Sequence, residues 1–334
     1  MPSIFSRPGD APYSIPQAAD YVADMVEREG TRAEQRFTLY STGSRQREDR
    51  VQASGWREAT YTNLKAGQSW QVSRGPDGKK RALTIDGYTT IFDVAATTRS
   101  DRLLDEACTV YRLTPRDTNS PAEEACVTDD AILLWQKVFY SNGTILSEAH
   151  AVRIARRRVA PSEVTVPAYA LDPASYGDWT PGAALPDDEV RLKGSSALLI
   201  RRLGALSFSD DVGREIRLMD YKNATYDLHA EIGKDGRVLR LDLAPNPPVF
   251  PAVGVDASGL VDTILGRSCH STDMAKGVSD YGETRCLTAD GLTLSKSTWS
   301  RGGSTSLRAV SVRKGLKPAE LTPPAGLLKG HLPQ

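Results

Sequence analysis

Two stretches of this chain, 160 residues apart, carry the same landmarks in the same order. EEACVTDDAILLWQ places Cys126 before Thr128, Asp130 and Leu133, and GETRCLTADGLTLS places Cys286 before Thr288, Asp290 and Leu292. Cys108 lies 18 residues before the first of these cysteines, and Cys269 lies 17 before the second. Tyr61-Thr62-Asn63 begins 47 residues before Cys108, and Tyr221-Lys222-Asn223 begins 48 before Cys269. Downstream, Pro161 and Pro318 follow Cys126 and Cys286 by 35 and 32 residues. Each opens a run of proline, small residue, glutamate, aliphatic residue and threonine. Four landmarks at nearly one spacing read as a tandem duplication, and internal repeats decide a fold before any local pattern does. The stretch LDPASYGDWTPGAALPDDEV between the copies is rich in Pro, Gly and Asp and reads as irregular. The expected division is a first domain over residues 14–168, a linker over 169–189 and a second domain over 190–326.

The cysteines admit three readings. Zinc sites draw on cysteines two to four residues apart, and redox pairs use Cys-x-x-Cys; neither spacing occurs. His270 adjoins Cys269, but the matching position in the first copy is Thr109, which ligates no zinc. Two local disulfides, Cys108–Cys126 and Cys269–Cys286, are therefore expected, each stabilising by about 3 kcal/mol in the chain-entropy picture. Such bonds persist in oxidising compartments. The N-terminal MPSIFSRPGDAPYS lacks the apolar core of a signal peptide. Together these point to a mature periplasmic or otherwise secreted protein.

IPQAADYVADMVERE, residues 15–29, sets Ala18, Val22, Met25 and Val26 on one helical face, with Ser14 and Pro16 suited to its start. ATTRSDRLLDEAC and DASGLVDTILGRSC are each expected to hold a short helix leading into the first cysteine of a pair. The runs RFTLYS, EDRVQA, EATYTNL, SWQVSR and RALTID alternate loosely and are separated by Gly, Asp and Asn, the pattern of antiparallel strands. PDGK and KDGR read as tight hairpin turns, and so do TDDA and TADG. Asp129, Asp130 and Asp290 are accordingly turn residues rather than catalytic carboxylates. The fold class expected is α+β: two repeated domains, each a curved antiparallel sheet, or half-open barrel, covered by one or two helices.

Lys plus Arg number 42 and Asp plus Glu number 42, so there is no general attraction to nucleic acid. No apolar run is long enough for a transmembrane helix. Neither a phosphate-binding loop, a GxGxxG, an HExxH nor a GxSxG is present. His150, His229, His270 and His331 do not recur between the copies. No nucleophile, base and orienting acid can be assembled, so no enzyme, cofactor or metal is expected. Arg153, Arg156 and Arg158 belong to the densest basic run and form a candidate anion patch, with a charged, solvated edge strand as the plainer reading. Trp135 and Trp299 both follow the second cysteine of a pair and are expected in the core or on a sheet face.

The order of helix, strand meander, disulfide-stapled hairpin and final strand over residues 15–167, and again over 190–324, resembles the periplasmic lipoprotein-carrier superfamily, the LolA/LolB-like proteins. The resemblance implies a half-open antiparallel barrel wrapped over helices, enclosing an apolar cavity. It further implies a non-enzymatic envelope protein that binds an apolar or lipid-like ligand between sheet and helix. With filled cores, the same fold would serve as an interaction module of an envelope assembly with a protein partner.

Overall fold

The computed structural model describes residues 20–64, 66–87, 92–115, 121–182, 186–213, 215–246, 257–273, 281–300 and 303–332. The chain packs as two compact units that divide between Leu171 and Asp172. Among the described residues the structure is built of antiparallel strands, and helix is limited to one four-residue α-helix and four 3-10 turns. The α+β expectation is therefore corrected: among the described residues no helix covers either sheet.

The first unit holds β1 (Tyr21–Glu29), β2 (Gln35–Ser41), β3 (Arg45–Val51), β4 (Arg57–Asn63), β5 (Gln68–Arg74), β6 (Arg81–Asp86), β7 (Phe92–Leu103), β8 (Glu106–Pro115), β9 (Ala122–Val127), β10 (Leu133–Phe139) and β11 (Ile145–Arg156). The second holds β12 (Asp187–Gly194), β13 (Ala197–Leu203), β14 (Leu206–Val212), β15 (Ile216–Lys222), β16 (Tyr226–Gly233) and β17 (Val238–Pro245). It continues with β18 (Ala257–Ile264), β19 (Arg267–Asp273), β20 (Tyr281–Leu287), β21 (Thr293–Ser300) and β22 (Gly303–Arg313). In the first unit the paired order is β7-β8-β9-β10-β11-β1-β2-β3-β4-β5-β6. In the second it is β18-β19-β20-β21-β22-β12-β13-β14-β15-β16-β17. Both orders put the first strand in the middle of the sheet, clasped by the second and the eleventh.

The first expected helix fails because strand pairing on both sides outweighs a local stripe, and the other two because their residues fold back as hairpins. Residues 15–19 lie outside the described residues, but Tyr21–Glu29 is a strand hydrogen-bonded on both sides, to β2 and to β11. Its buried face is Tyr21, Ala23 and Met25, a period of two. The 96–108 segment is instead the β7–β8 hairpin, turned by Leu104 and Asp105 at φ 53° and 63°. The later segment is likewise the β18–β19 hairpin, turned by Leu265 and Gly266 at φ 52° and 72°. Two successive residues in the left-handed region match the twist of the flanking strands.

Both disulfides form as expected. Cys108 on β8 joins Cys126 on β9 with Cα atoms 5.4 Å apart, and Cys269 on β19 joins Cys286 on β20 at 5.3 Å. Each bond sits inside a core. In the first unit it lies with Tyr21, Met25, Phe37, Leu39, Val110, Ile132 and Leu134. In the second it lies with Val190, Leu192, Leu198, Ile264, Leu292 and Leu294. The stretch read as a linker is largely folded: Ala168–Leu171 and Pro173–Tyr176 are 3-10 turns. Tyr176 packs edge-on against Tyr226, and the Trp179 indole N–H donates to the Pro173 carbonyl.

Candidate functional site

The site begins with strand register. Across β1 to β5, Asp24, Thr38, Asp49, Ala59 and Val72 stand opposite one another and point to one face of the sheet. Tyr40, Arg47 and Tyr61 form the adjacent row on one side. Val51, Arg57, Arg74 and Arg81 form the row on the other. Side chains in the central row are short, while those of the flanking rows, Val51 apart, are long. The result is a groove of about 680 Å3, within the range of roughly 300–1,000 Å3 typical of small-molecule sites.

The segment after β11 closes over this face. Pro161–Glu163 is a 3-10 turn whose Glu163 accepts the Ala160 N–H, while Thr165 donates back to the Pro161 carbonyl. Arg47 donates to the Glu163 carbonyl and Arg45 to the Thr165 hydroxyl, tying the segment to β3. Tyr169 then lies under the guanidiniums of Arg74 and Arg81, at 5.5 and 5.1 Å from its ring centroid. The groove thus has a floor of strands and a lid edge of Tyr169.

Charge inside the groove is divided. Asp24 accepts from Thr38 and from Arg153 at 2.7 Å. Asp49 holds Arg47 through both oxygens, and that guanidinium lies beside the rings of Tyr40 and Tyr61. Burial works against the Arg47 charge and the Asp49 carboxylate more than restores it, so its pKa is raised. Burial also pushes the Tyr61 hydroxyl up. Glu58 accepts from Gln52. Arg36 and Arg57, both exposed, line the groove, and among the described residues neither meets a carboxylate.

The arginines singled out from sequence are placed as follows. Arg153 pairs with Asp24 at the groove margin. Arg156 bridges Glu106 at 2.7 Å and Asp130 at 2.8 Å, and holds both carboxyls below their usual range. Arg158 is exposed, and its carbonyl accepts from Arg157. The structure does not gather the three around one opening. Reading the sequence for dense basic runs missed Arg36, Arg57 and Arg74, which lie on three different strands. Only strand register could have found them.

The aspartates of the TDDA and TADG turns do what turn residues do. Thr128 donates to Asp130 and accepts the Ile132 N–H, with Ala131 at φ 62°. Thr288, Asp290, Leu292 and Gly291 at φ 75° repeat the arrangement. His229 is held by Asp220 at 2.6 Å, and Ser209 donates to the same carboxylate. The hydroxyl therefore meets the acid rather than the imidazole, which is the wrong connection for an activated nucleophile. Among the described residues no group of three or more His, Cys, Asp or Glu could hold a metal ion, and no helix is long and apolar enough to cross a membrane. Trp135 is buried in the first core and donates to Asp101. Trp299 is 51% exposed and opposite Gly282, where a Cβ would come within 2.2 Å of the indole.

No family model matches the chain, and no curated protein matches it at a significant level. Among solved structures, an uncharacterised conserved protein from Thermus thermophilus is 14% identical, covering 45% of this chain and 86% of its own, with a TM-score of 0.33. A chain of the Pseudomonas aeruginosa MucA/MucB complex is 12% identical over 91% of this chain and 96% of its own, with a TM-score of 0.28. A putative outer membrane lipoprotein-sorting protein domain from Vibrio parahaemolyticus is 6% identical over 45% and 91%, with a TM-score of 0.21. Identities and TM-scores are all low, so function has to be read from the chain's own residues.

Proposed function

We propose that this chain is a non-enzymatic binding protein of an oxidising compartment such as a bacterial envelope, arisen by tandem duplication, whose first unit holds an apolar or amphipathic molecule. Two disulfides support the compartment, since reducing cytosols do not maintain them. The shared strand order of the units supports the duplication, because Tyr61 and Tyr221 fall on each unit's fourth strand, and the cysteines on its eighth and ninth. The observation that carries the binding reading is the groove of about 680 Å3 floored by Thr38, Ala59 and Val72. Removing apolar surface from water at about 25 cal/mol per Å2 rewards an occupant that lies along it. The ligand space lies on a sheet face beneath Tyr169, in place of the sheet–helix cavity expected from sequence.

Titration of the full chain with a fluorescent fatty-acyl probe tests this reading. Saturable binding at micromolar levels is expected, and Ala59→Met, which places a long side chain on the groove floor, is expected to abolish it. Undiminished binding by Ala59→Met would move the site elsewhere, and no binding by the unaltered chain would overturn the reading. A second reading, a protein-interaction module, is favoured by the β18–β19 hairpin, where Leu260 is 69% and Leu265 52% exposed. A stable complex with an envelope protein that survives filling of the groove would support it.

A further inference from the structure

Resting on the groove reading above, we infer that the occupant is a monoacyl amphiphile with an anionic headgroup, a carboxylate or a phosphate, read by Arg57 and Arg74 with Arg36 beside them.

The argument starts from an unfavourable placement. Arg57 and Arg74 stand directly opposite each other on β4 and β5, and Arg74 stands opposite Arg81 on β6. Like charges facing across a sheet destabilise it, and the usual remedy is an interleaved carboxylate. Here the groove's own acids are engaged elsewhere: Asp24 by Arg153 and Thr38, Asp49 by Arg47, and Glu58 by Gln52 and Ser73. Among the described residues, Arg36, Arg57 and Arg74 take no carboxylate at all. Arg74 lies instead against the Tyr169 ring and lines the groove. Guanidiniums present planar forks that match carboxylate and phosphate oxygens.

The second unit shows what the same register looks like when it carries no such site. There the matching row is Val212, Arg217 and Ile232. Its one arginine is neutralised by Asp210 through two contacts of 2.7 Å, and Ile232 stands where Arg74 does. The apolar half of the ligand follows from the rest of the lining. Ala59 and Val72 form the floor, with Val51 and Val152 exposed at the rim. An acyl chain laid along these residues places its head among the three guanidiniums.

The test uses the full chain and four probes: oleate, a monoacyl glycerol phosphate, the uncharged monoacylglycerol of equal chain length, and inorganic phosphate alone. Both anionic amphiphiles should bind at least about tenfold tighter than the neutral one, since a hydrogen bond to a charged group contributes roughly that factor. That advantage should shrink as salt is raised. Arg57→Gln combined with Arg74→Gln should cut anion affinity about tenfold or more and leave the monoacylglycerol within about twofold. Thermal stability of that variant should be retained or slightly raised, because both side chains are exposed and the facing like charges are removed. Equal affinity for charged and neutral probes, or anion affinity indifferent to the two substitutions, overturns the headgroup assignment while leaving the groove intact. Tight binding of inorganic phosphate with no gain from the acyl chain overturns the amphiphile assignment. Failure of every acyl probe removes the groove reading along with it.

Discussion

The two units run their strands in the same order, yet they treat the same sheet face in opposite ways. In the second unit the row matching Thr38, Asp49, Ala59 and Val72 is Leu199, Asp210, Met219 and Ala230. Met219 is 4% exposed, and Phe208 packs on Tyr221 with ring centroids 4.5 Å apart. The segment after the last strand is parallel in design: Pro318–Glu320 repeats the 3-10 turn, and Thr322 donates to Pro318. It then supplies Leu327 and Leu328, both fully buried, where the first unit has Ala170 and Leu171. A cavity of about 240 Å3 lies at the outer end of the face, beside Ile232 and Leu332. Larger side chains at a few register positions thus separate a packed face from a groove, with no change of topology.

The largest effects come from exchanging those side chains. Met219→Ala should destabilise by roughly 2–5 kcal/mol, as deletion of a buried side chain from a packed site does. Ala59→Met should change stability by less than about 1.5 kcal/mol, because the added atoms enter open space rather than a filled core. Denaturant melts of the two variants measure both values. A cheap Met219→Ala would mean that the second unit is not packed there, and the contrast would fail.

Next come the disulfides. Replacing Cys108 and Cys126 together by serine should cost about 3 kcal/mol, and the Cys269 and Cys286 pair should cost nearly the same, because the loops they close are 18 and 17 residues long. Unequal losses would show that one core depends on its crosslink more than the other.

A third contrast lies three residues before the second cysteine of each pair. Glu283 meets Arg285 at 2.5 Å and Lys296 at 3.4 Å. Glu123 is 2% exposed and has only a neutral amide described beside its carboxyl, that of Gln136 at 2.6 Å. Burial pushes the Glu123 carboxyl up to about 7, against the opposing pull of that hydrogen bond. Its folded pKa lies above the unfolded one, so between about pH 4.5 and 7 the folded state holds the extra proton. Stability therefore falls as pH rises through this window, and the penalty is complete above it. Glu123→Gln should raise stability above pH 7 by on the order of 2–3 kcal/mol and have little effect near pH 4. Gln136→Lys, which copies the second unit, should flatten the pH dependence. Glu283→Gln should instead destabilise by about 1 kcal/mol, since it removes the acid shared by two cations. Melting curves across pH 4–9 separate the cases.

What the sequence disclosed follows the range of the interactions. The Thr-x-Asp turns and the disulfide pairs depend on residues within about twenty positions, and each lies where the sequence places it; the Pro-x-Glu-x-Thr runs, legible only as landmarks of the repeat, are 3-10 turns in the structure. β1 is paired on one side with β11, some 125 residues away, and on the other with β2, so its apolar pattern is open to a helical reading that tertiary pairing excludes. The hairpin turn at Leu104-Asp105 carries no Asn-Gly or Asp-Gly, so nothing local announced it. The groove is the least legible feature, because its floor and its arginines come from separate strands that acquire meaning only in register. The basic run at Arg153–Arg158 was conspicuous in sequence for the opposite reason, since its residues are contiguous.

The smallest expected effect concerns that run and sharpens the assignment of the anion site. Arg156 is about as exposed as its partners, with side-chain exposures of 41%, 34% and 40% for Arg156, Glu106 and Asp130. Water screens such pairs, and exposed ion pairs contribute roughly 0–1 kcal/mol. Arg156→Ala should therefore lower stability by less than about 1 kcal/mol. It should leave anionic-amphiphile affinity unchanged, because its guanidinium is already saturated by two carboxylates and lies outside the groove lining. Arg57 and Arg74 make the opposite prediction on both counts: no loss of stability and a loss of anion affinity. Should Arg156→Ala weaken anion binding as much as Arg57→Gln and Arg74→Gln do, long-range potential rather than a local headgroup site would govern the ligand's charge preference. The separation between paired and unpaired arginines would then have no functional meaning.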